Sequence, residues 1–486
     1  MSPDAASVGE LDDATLIDTI AAEARAGAAA DARKYAAIAE LERRRNTGEH
    51  KYWVCDDWDA AAAEVAAALN IGHGRASSEM ELAVMLRDRF PAVAALFSTG
   101  ALNARRVWLI AQRTRLVTDP DALSALDTAI AERITTWGPL SEYKLTDAID
   151  VWVDAIDPGA LRRTRDRARS RDVTVGDEHE SGTAAVWGRL FNTDAALLKK
   201  RLDAMARAVC NDDPRTLAQR RADALGALAA GSTQLSCQCE RPECPATVDD
   251  GRASSVVVHV IADEASTGAE SDSQLHGEQS DPPQGDEANG RRKAALIPGF
   301  GMVPAPLLAE LIARGAKLRP VVAPKQAPEP QYRPSTALDE FVRVRDLTCR
   351  APGCDRPAMH GDIDHTVPHP EGPTHAGNLK GYCRIHHLIK TFWPGWSDRQ
   401  FADGTVVVTT PTDHTYTTKP GSTLFFPTWA IHTPAPPSTA TAAGPNRSIM
   451  MPKRKRSRVD ARADRIKAER ALNADRVAER NTPPPF

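Results

Sequence analysis

Apolar residues recur at three- and four-residue spacing through most of the N-terminal half of the chain, a pattern that predicts packed amphipathic helices. Residues 10–45 predict one long Ala-rich helix with a broken stripe of Leu16, Ile17, Ile20, Tyr35, Ile38 and Leu41, and Arg43, Arg44 and Arg45 suit the negative end of its dipole. Ser78 with Glu81 predicts a capping box ahead of Leu82, Val84 and Leu86. Asp119-Pro120 opens a helix through Leu126 and Ile130, and Ser141 opens another through Leu145, Ile149 and Val153. Between 172 and 190 the period falls to two, so Val173, Val175, Ala185, Trp187 and Leu190 predict a hairpin turning at 179–182. Helical spacing returns at 193–209 and 215–230, and Ser255–Ile261 reads as a strand.

Residues 265–292 lose the pattern: they are rich in Ser, Gly, Gln, Asp and Glu and nearly empty of large apolar side chains, as in a disordered linker or long surface loop. A short helix at 304–314 precedes a connector stiffened by Pro320, Pro324, Pro328, Pro330 and Pro334. Phe401–Thr409 suggests a strand pair, and beyond about 433 the chain is Pro/Ala/Thr-rich, then basic. The expected organisation is a mostly helical domain with a small β element at 10–262, a linker at 263–340, a compact α+β domain at 341–410 and a tail at 433–486.

Composition changes this picture only in places. A chain of 486 residues should split into two or three domains, and a net charge of −4 neither favours nor excludes a nucleic-acid partner. The first residues lack the basic and apolar segments of a secretory signal, and no apolar run reaches the ~20 residues that span a bilayer, so a soluble, cytoplasmic protein is expected. Eight cysteines in such a chain argue against a disulfide scaffold, and six of them fall in two tight groups, which points to metal.

One group carries the chemistry. Cys349 and Cys354 flank a Pro-Gly knuckle, while Cys383 and His386 lie one helical turn apart, giving a Cys3His set suited to tetrahedral structural zinc. Four incidental residues would rarely fall into two close pairs. Asp364, His365 and His387 are then left over. Adjacent strand residues point to opposite faces, and His387 is rotated away from the zinc side, so Asp364 and His387 can meet at an open site for Mg²⁺ or a divalent transition metal. A neutral His365 could take a proton from water.

These residues, with Asn378-Leu379 and Lys390 behind His387, resemble the HNH endonucleases. That resemblance implies a zinc-stabilised ββα-metal fold and metal-assisted hydrolysis of double-stranded DNA. It implies that His365 is the general base, that Asp364 and His387 hold the catalytic cation, and that Asn378 braces the loop and orients His365. His386 stands where many such knuckles carry a second Cys. The region from about 10 to 325, including Ala222–Gly231 and the cysteines after it, resembles the domain of unknown function 222 that precedes HNH modules in actinobacterial proteins.

Weaker signals remain. Cys237, Cys239 and Cys244 offer three thiolates for a second zinc, against a plain reduced loop, with the fourth ligand open between Cys210 and a distant His. Asp362 shares the face of Asp364, either supporting the site or simply solvated. His369 and His375 read as loop residues, Trp393 and Trp396 as packing, Cys55 as a small buried apolar residue, and Arg162–Arg171 as an exposed helix face. Lys390, and the tail cluster Lys453, Arg454, Lys455, Arg456 and Arg458, are candidate phosphate contacts. The rival readings are a zinc-stabilised DNA-binding protein with little or no cleavage and a scaffold with a vestigial module. No membrane or organic cofactor is expected, and self-association is left open.

Overall fold

Helix α1 (Asp13–Arg45) begins where the Asp12 carboxylate accepts from the Thr15 amide at 2.7 Å and ends in three arginines at its C-terminus. It packs with α2 (Asp57–Leu69), α3 (His73–Asp88), α4 (Pro91–Ser98), α5 (Ala104–Arg113), α6 (Pro120–Arg133) and α7 (Glu142–Ile156). Tyr35, Met80, Phe90, Phe97, Leu126 and Ile149 form their shared core. Asp119 and Ser141 cap α6 and α7 as their positions predict. Ser78 does not cap anything. The buried run already includes Ala76, so α3 starts at His73, and the Ser78 hydroxyl bonds back to the Gly74 carbonyl inside the helix.

The computed structural model describes residues 8–138, 140–161, 172–176, 183–190, 192–239, 241, 243–246, 259–268, 295–298, 301–313, 315–434 and 450–481. Strands β1 (Asp172–Val175) and β2 (Val186–Arg189) pair antiparallel, while the turn expected at 179–182 and the Arg162–Arg171 run lie outside the described residues. α8 (Asn192–Ala208) and α9 (Leu217–Ala229) come next, the latter opened by a reciprocal Thr216–Gln219 capping box. Of the strand expected at 255–261, residues 255–258 lie outside the described set, and Ile261 makes a single bridge to Leu296.

The expected linker carries structure of its own. α10 (Glu264–Thr267), the pair β3 (Ala295–Ile297) and β4 (Gly301–Val303), and α11 (Ala305–Ala313) are ordered, with Ala295, Val303 and Leu308 buried together; residues 269–294 lie outside the described set. Ile261 and Leu296 pack against Val344, Leu347 and Phe426, which joins this segment to the C-terminal region.

The C-terminal region starts at α12 (Thr336–Asp346), capped by Ser335. β5 (Asp362–His365) and β6 (Leu379–Tyr382) pair antiparallel and lead into α13 (Arg384–Phe392). Beyond α13 lies a three-stranded antiparallel sheet in the order β7 (Ser397–Gln400), β8 (Val406–Thr409), β9 (Thr415–Thr418). Of the strand pair expected at 401–409, only Val406–Thr409 is strand; its partner is β7 at 397–400, because Asp403 and Gly404, the latter at φ 78°, turn the chain between β7 and β8. α14 (Ser422–Phe425) and α15 (Arg458–Asn481) complete the chain. The protein is thus mostly helical with small antiparallel sheets. Among the described residues no helix is long and apolar enough to cross a membrane.

Candidate functional site

The knuckle at 349–354 is shaped by its backbone. Cys349 N–H donates to the Arg356 carbonyl at 2.9 Å, Cys354 N–H to that of Ala351 at 3.2 Å, and Gly353 takes φ 69° with the Ile71 backbone so close that a β-carbon would lie 2.6 Å from its oxygen. Cys383 sits at the N-cap of α13 and His386 in its first turn. The ligand atoms of Cys349, Cys354, Cys383 and His386 all lie within 4.8 Å of one another, and His386 Nδ1 is 3.4 Å from Cys349 Sγ and 3.3 Å from Cys383 Sγ. Hydrogen bonding from the Cys349 and Cys354 thiols, then from His386, holds the Cys383 thiol well below the usual cysteine range. This buried soft-donor set could hold a metal such as zinc.

The knuckle is also buttressed by charge. The Arg345–Asp346 pair is fully buried; Arg345 donates to the Ala376 and Leu379 carbonyls at 2.8 Å, and Asp346 accepts from the Gly381 amide at 2.8 Å. Arg350 donates to the Thr418 carbonyl at 2.7 Å, fastening the knuckle to β9.

A second constellation lies on the other side of α13. Strand register sets Asp364 opposite Lys380. Lys380 Nζ lies 3.0 Å from both Asp364 and Asp398, while Lys390 Nζ lies 2.6 Å from Asp364 and 2.5 Å from the His365 carbonyl oxygen. Two buried carboxylates thus face two buried ammoniums. Burial opposes the charge on Asp364, yet Lys380, Lys390 and His387 keep its carboxyl well below the usual range. Burial likewise opposes the charge on Lys380, but Asp364 and Asp398 hold its pKa above the ordinary lysine value.

Asp364 Oδ1 points the other way and lies 3.6 Å from His387 Nε2. His387 Nδ1 is 2.8 Å from Asp362 Oδ2, which also accepts from Arg384 at 3.1 Å. The ring is thus held through Nδ1 with its Nε2 edge facing Asp364. Asp362 is therefore a partner of His387 and not merely a solvated strand end.

His365 occupies the opposite face of β5. Its Nε2 lies 3.0 Å from Thr374 Oγ1, whose hydroxyl donates to the Tyr332 carbonyl at 3.3 Å. The hydroxyl proton being used there, Thr374 accepts from His365, which assigns the proton to Nε2 and the lone pair to Nδ1. Burial pulls the His365 imidazole down to about 4, so it is neutral near pH 7. The Tyr332 ring stacks on it at 5.2 Å. Asn378 accepts from the Val367 amide at 2.8 Å and donates to the Val367 and Pro373 carbonyls at 3.0 and 2.9 Å. It closes the loop, but the bond that orients His365 comes from Thr374 on that loop, not from Asn378 itself.

The remaining expected residues take varied places. His375 Nδ1 accepts from the Gly377 amide within a turn, and His369 lies 5.9 Å from the His365 ring. Trp393 donates to the Cys55 carbonyl at 3.1 Å, and Trp393, Trp396 and Cys55 share one cluster with Leu388 and Ile389. Lys390, expected as a phosphate contact, turns its ammonium inward onto Asp364 and the His365 carbonyl. Arg454 and Arg458 likewise differ from expectation: both pair with Asp56 and Asp59 at the start of α2. Arg456 pairs with Asp464, and Lys453 and Lys455 are exposed. Cys237, Cys239 and Cys244 come together with Cys210, all four sulfurs lying within 4.8 Å of one another. Sequence reasoning missed Thr374, Lys380, Asp398 and Tyr332; only strand register brings Lys380 opposite Asp364, and the others meet the site through tertiary packing.

The chain belongs to the family described as domain of unknown function (DUF222), whose model matches residues 22–346. It is similar to the uncharacterized protein Rv2100 of Mycobacterium tuberculosis strain H37Rv, with 54% identity over 100% of this chain and 92% of that one. The uncharacterized protein Rv3776 of the same strain is also 54% identical, over 99% of this chain and 93% of its own length. No solved structure matches the chain.

Proposed function

We propose that this chain is a metal-dependent endonuclease of the HNH type that hydrolyses phosphodiester bonds in double-stranded DNA. One observation carries the reading: an imidazole, His387, held through Nδ1 by Asp362 at 2.8 Å, faces a buried carboxylate, Asp364, at 3.6 Å through Nε2, beside a second imidazole, His365, held neutral and oriented. A pure packing role requires none of this. On this reading β5, β6 and α13 make up a ββα-metal unit, and zinc on Cys349, Cys354, Cys383 and His386 holds its knuckle.

Asp364 Oδ1 and His387 Nε2 suit a divalent cation with open positions, since Asp362 fixes the histidine in the way that supporting carboxylates fix metal-bound imidazoles. Such a cation supplies charge stabilisation at the scissile phosphate and the leaving oxygen. The chain's own residues do the rest. His365 Nδ1 accepts the proton of the attacking water. Thr374 holds the ring through Nε2, and Asn378 holds the loop that carries Thr374. Lys380 and Lys390 keep Asp364 ionised. Lys453 and Lys455 remain exposed for phosphate contact. A cytoplasmic location fits such a substrate.

One observation favours a second reading, a zinc-stabilised DNA-binding protein that does not cut: the Lys390 ammonium already occupies Asp364 Oδ2. Supercoiled plasmid incubated with the protein and Mg²⁺, Mn²⁺ or Ni²⁺ separates the two. Nicking that disappears with chelator and in His365→Ala supports the nuclease. DNA binding without nicking under every metal, by protein that retains its zinc, favours the second reading.

A further inference from the structure

We propose that Cys210, Cys237, Cys239 and Cys244 bind a second structural zinc ion. This site lies within residues 22–346, so the metal belongs to the region the family shares and stands independently of the endonuclease reading.

The donors come from two directions. Cys210 lies just past the end of α8, and the other three lie in the loop after α9. Their sulfurs all fall within 4.8 Å of one another, with Cys210 and Cys237 3.4 Å apart. Four thiolates around zinc at bonds of about 2.3 Å sit about 3.8 Å apart along each tetrahedral edge, inside this range. No disulfide joins any of the four: the Cys210 and Cys237 sulfurs stand 3.4 Å apart, well beyond the roughly 2.05 Å of an S–S bond. The Cys239 amide points at Cys237 Sγ at 3.5 Å, as amides in thiolate knuckles do.

The loop is built to present these sulfurs. Cys237 N–H donates to the Ala246 carbonyl at 2.8 Å and Cys244 N–H to that of Arg241 at 3.2 Å. Buried Asp213 accepts from the Gln238 amide at 3.0 Å, and buried Arg215 donates to the Ser236 carbonyl at 2.8 Å. Among the described residues the apolar core beneath is small, with Met205, Val209, Ala224, Ala227 and Leu235 its buried members besides Cys237 and Cys239. So little apolar burial leaves metal ligation a large share of the local folding free energy. Four soft anionic donors select zinc over Mg²⁺ or Mn²⁺, and with every coordination position filled by protein the site is closed and structural.

Metal analysis of the full chain, purified without chelator, tests this. About two zinc ions per chain are expected. Cys244→Ser should lower the content by one, Cys244→His should restore it, and Cys383→Ser should separately remove the other ion. In the wild-type protein, the peptide holding Cys237, Cys239 and Cys244 should resist alkylation by iodoacetamide until a chelator strips the metal. This measurement decides the matter even where Cys244→Ser fails to fold. A single zinc that survives Cys244→Ser, iron in place of zinc, a disulfide among the four, or alkylation that chelation does not change would each overturn the proposal. None of these readouts depends on cleavage.

Discussion

His386 and His387 are neighbours on α13, yet they face different surroundings. His386 turns toward three sulfurs, whereas His387 turns between two carboxylates, Asp362 and Asp364. One helical step of about 100° separates them, from 3.6 residues per turn. The contrast is one of saturation. The four Cys3His donors converge on one point and can complete a tetrahedron. Asp364 and His387 supply two donors, with Asp364 already balanced by two ammoniums, so a cation there would keep open positions and could exchange. On the endonuclease reading, the same short helix would carry a closed centre that holds structure and an open one that does chemistry.

The largest effect should come from breaking the closed centre. Cys383→Ser removes one of four converging donors from a buried set. Apparent zinc binding in small metal-folded units is worth about 10 kcal/mol or more. The C-terminal region should lose its zinc and its cooperative unfolding transition, read by metal analysis and calorimetry. A variant that keeps both would erase the distinction between the two sides of α13.

His365→Ala should separate chemistry from structure. Removing a general base typically costs 10²- to 10⁴-fold in rate. The imidazole is neutral and contributes one hydrogen bond, to Thr374, so zinc content and melting temperature should change little. Single-turnover nicking rates alongside thermal melts check this. A melting loss as large as that of Cys383→Ser would make His365 a packing residue.

Lys380→Met sharpens the comparison from the other side. It leaves Asp364 and Asp398 buried with only the Lys390 ammonium between them. Breaking a buried charge set by removing one partner costs about 3–5 kcal/mol. Denaturant titration should show that loss while zinc stays bound. A loss under about 1 kcal/mol, the range of exposed ion pairs, would mean that the quartet is wet and its carboxylates weakly held.

Range decides which parts were legible in the sequence. Cys349 with Cys354, and Cys383 with His386, are local pairs whose spacing alone shapes a knuckle. Cys210 could be named only as one option, because it meets Cys237 after α8 and α9 have packed, 27 positions apart. The tail arginines misled for the same reason. A run of basic residues reads as an exposed charge cluster, but Arg458 finds Asp56 across 402 positions. Helix starts at Asp119 and Ser141 were readable because a cap acts within four residues, whereas Ser78 offered the same local signal inside a helix whose earlier start was set by burial.

The smallest effect, and the finest test of the contrast, is Asp362→Asn. Asp362 is not one of the four donors of the closed centre; it holds His387 through Nδ1 at 2.8 Å and accepts from exposed Arg384. Asparagine can still accept at Nδ1 through its carbonyl oxygen, but it brings no charge and can flip to present its amide. Losses of such supporting carboxylates typically weaken metal affinity 10- to 100-fold. The concentration of Mn²⁺ that half-saturates nicking should rise by that factor, while the maximal rate at saturating Mn²⁺ and the zinc content stay near wild type. If the maximal rate falls instead and the half-saturating concentration does not move, Asp362 acts on the substrate and not through His387. The open side of α13 would then contain one more reacting group than the geometry assigns to it.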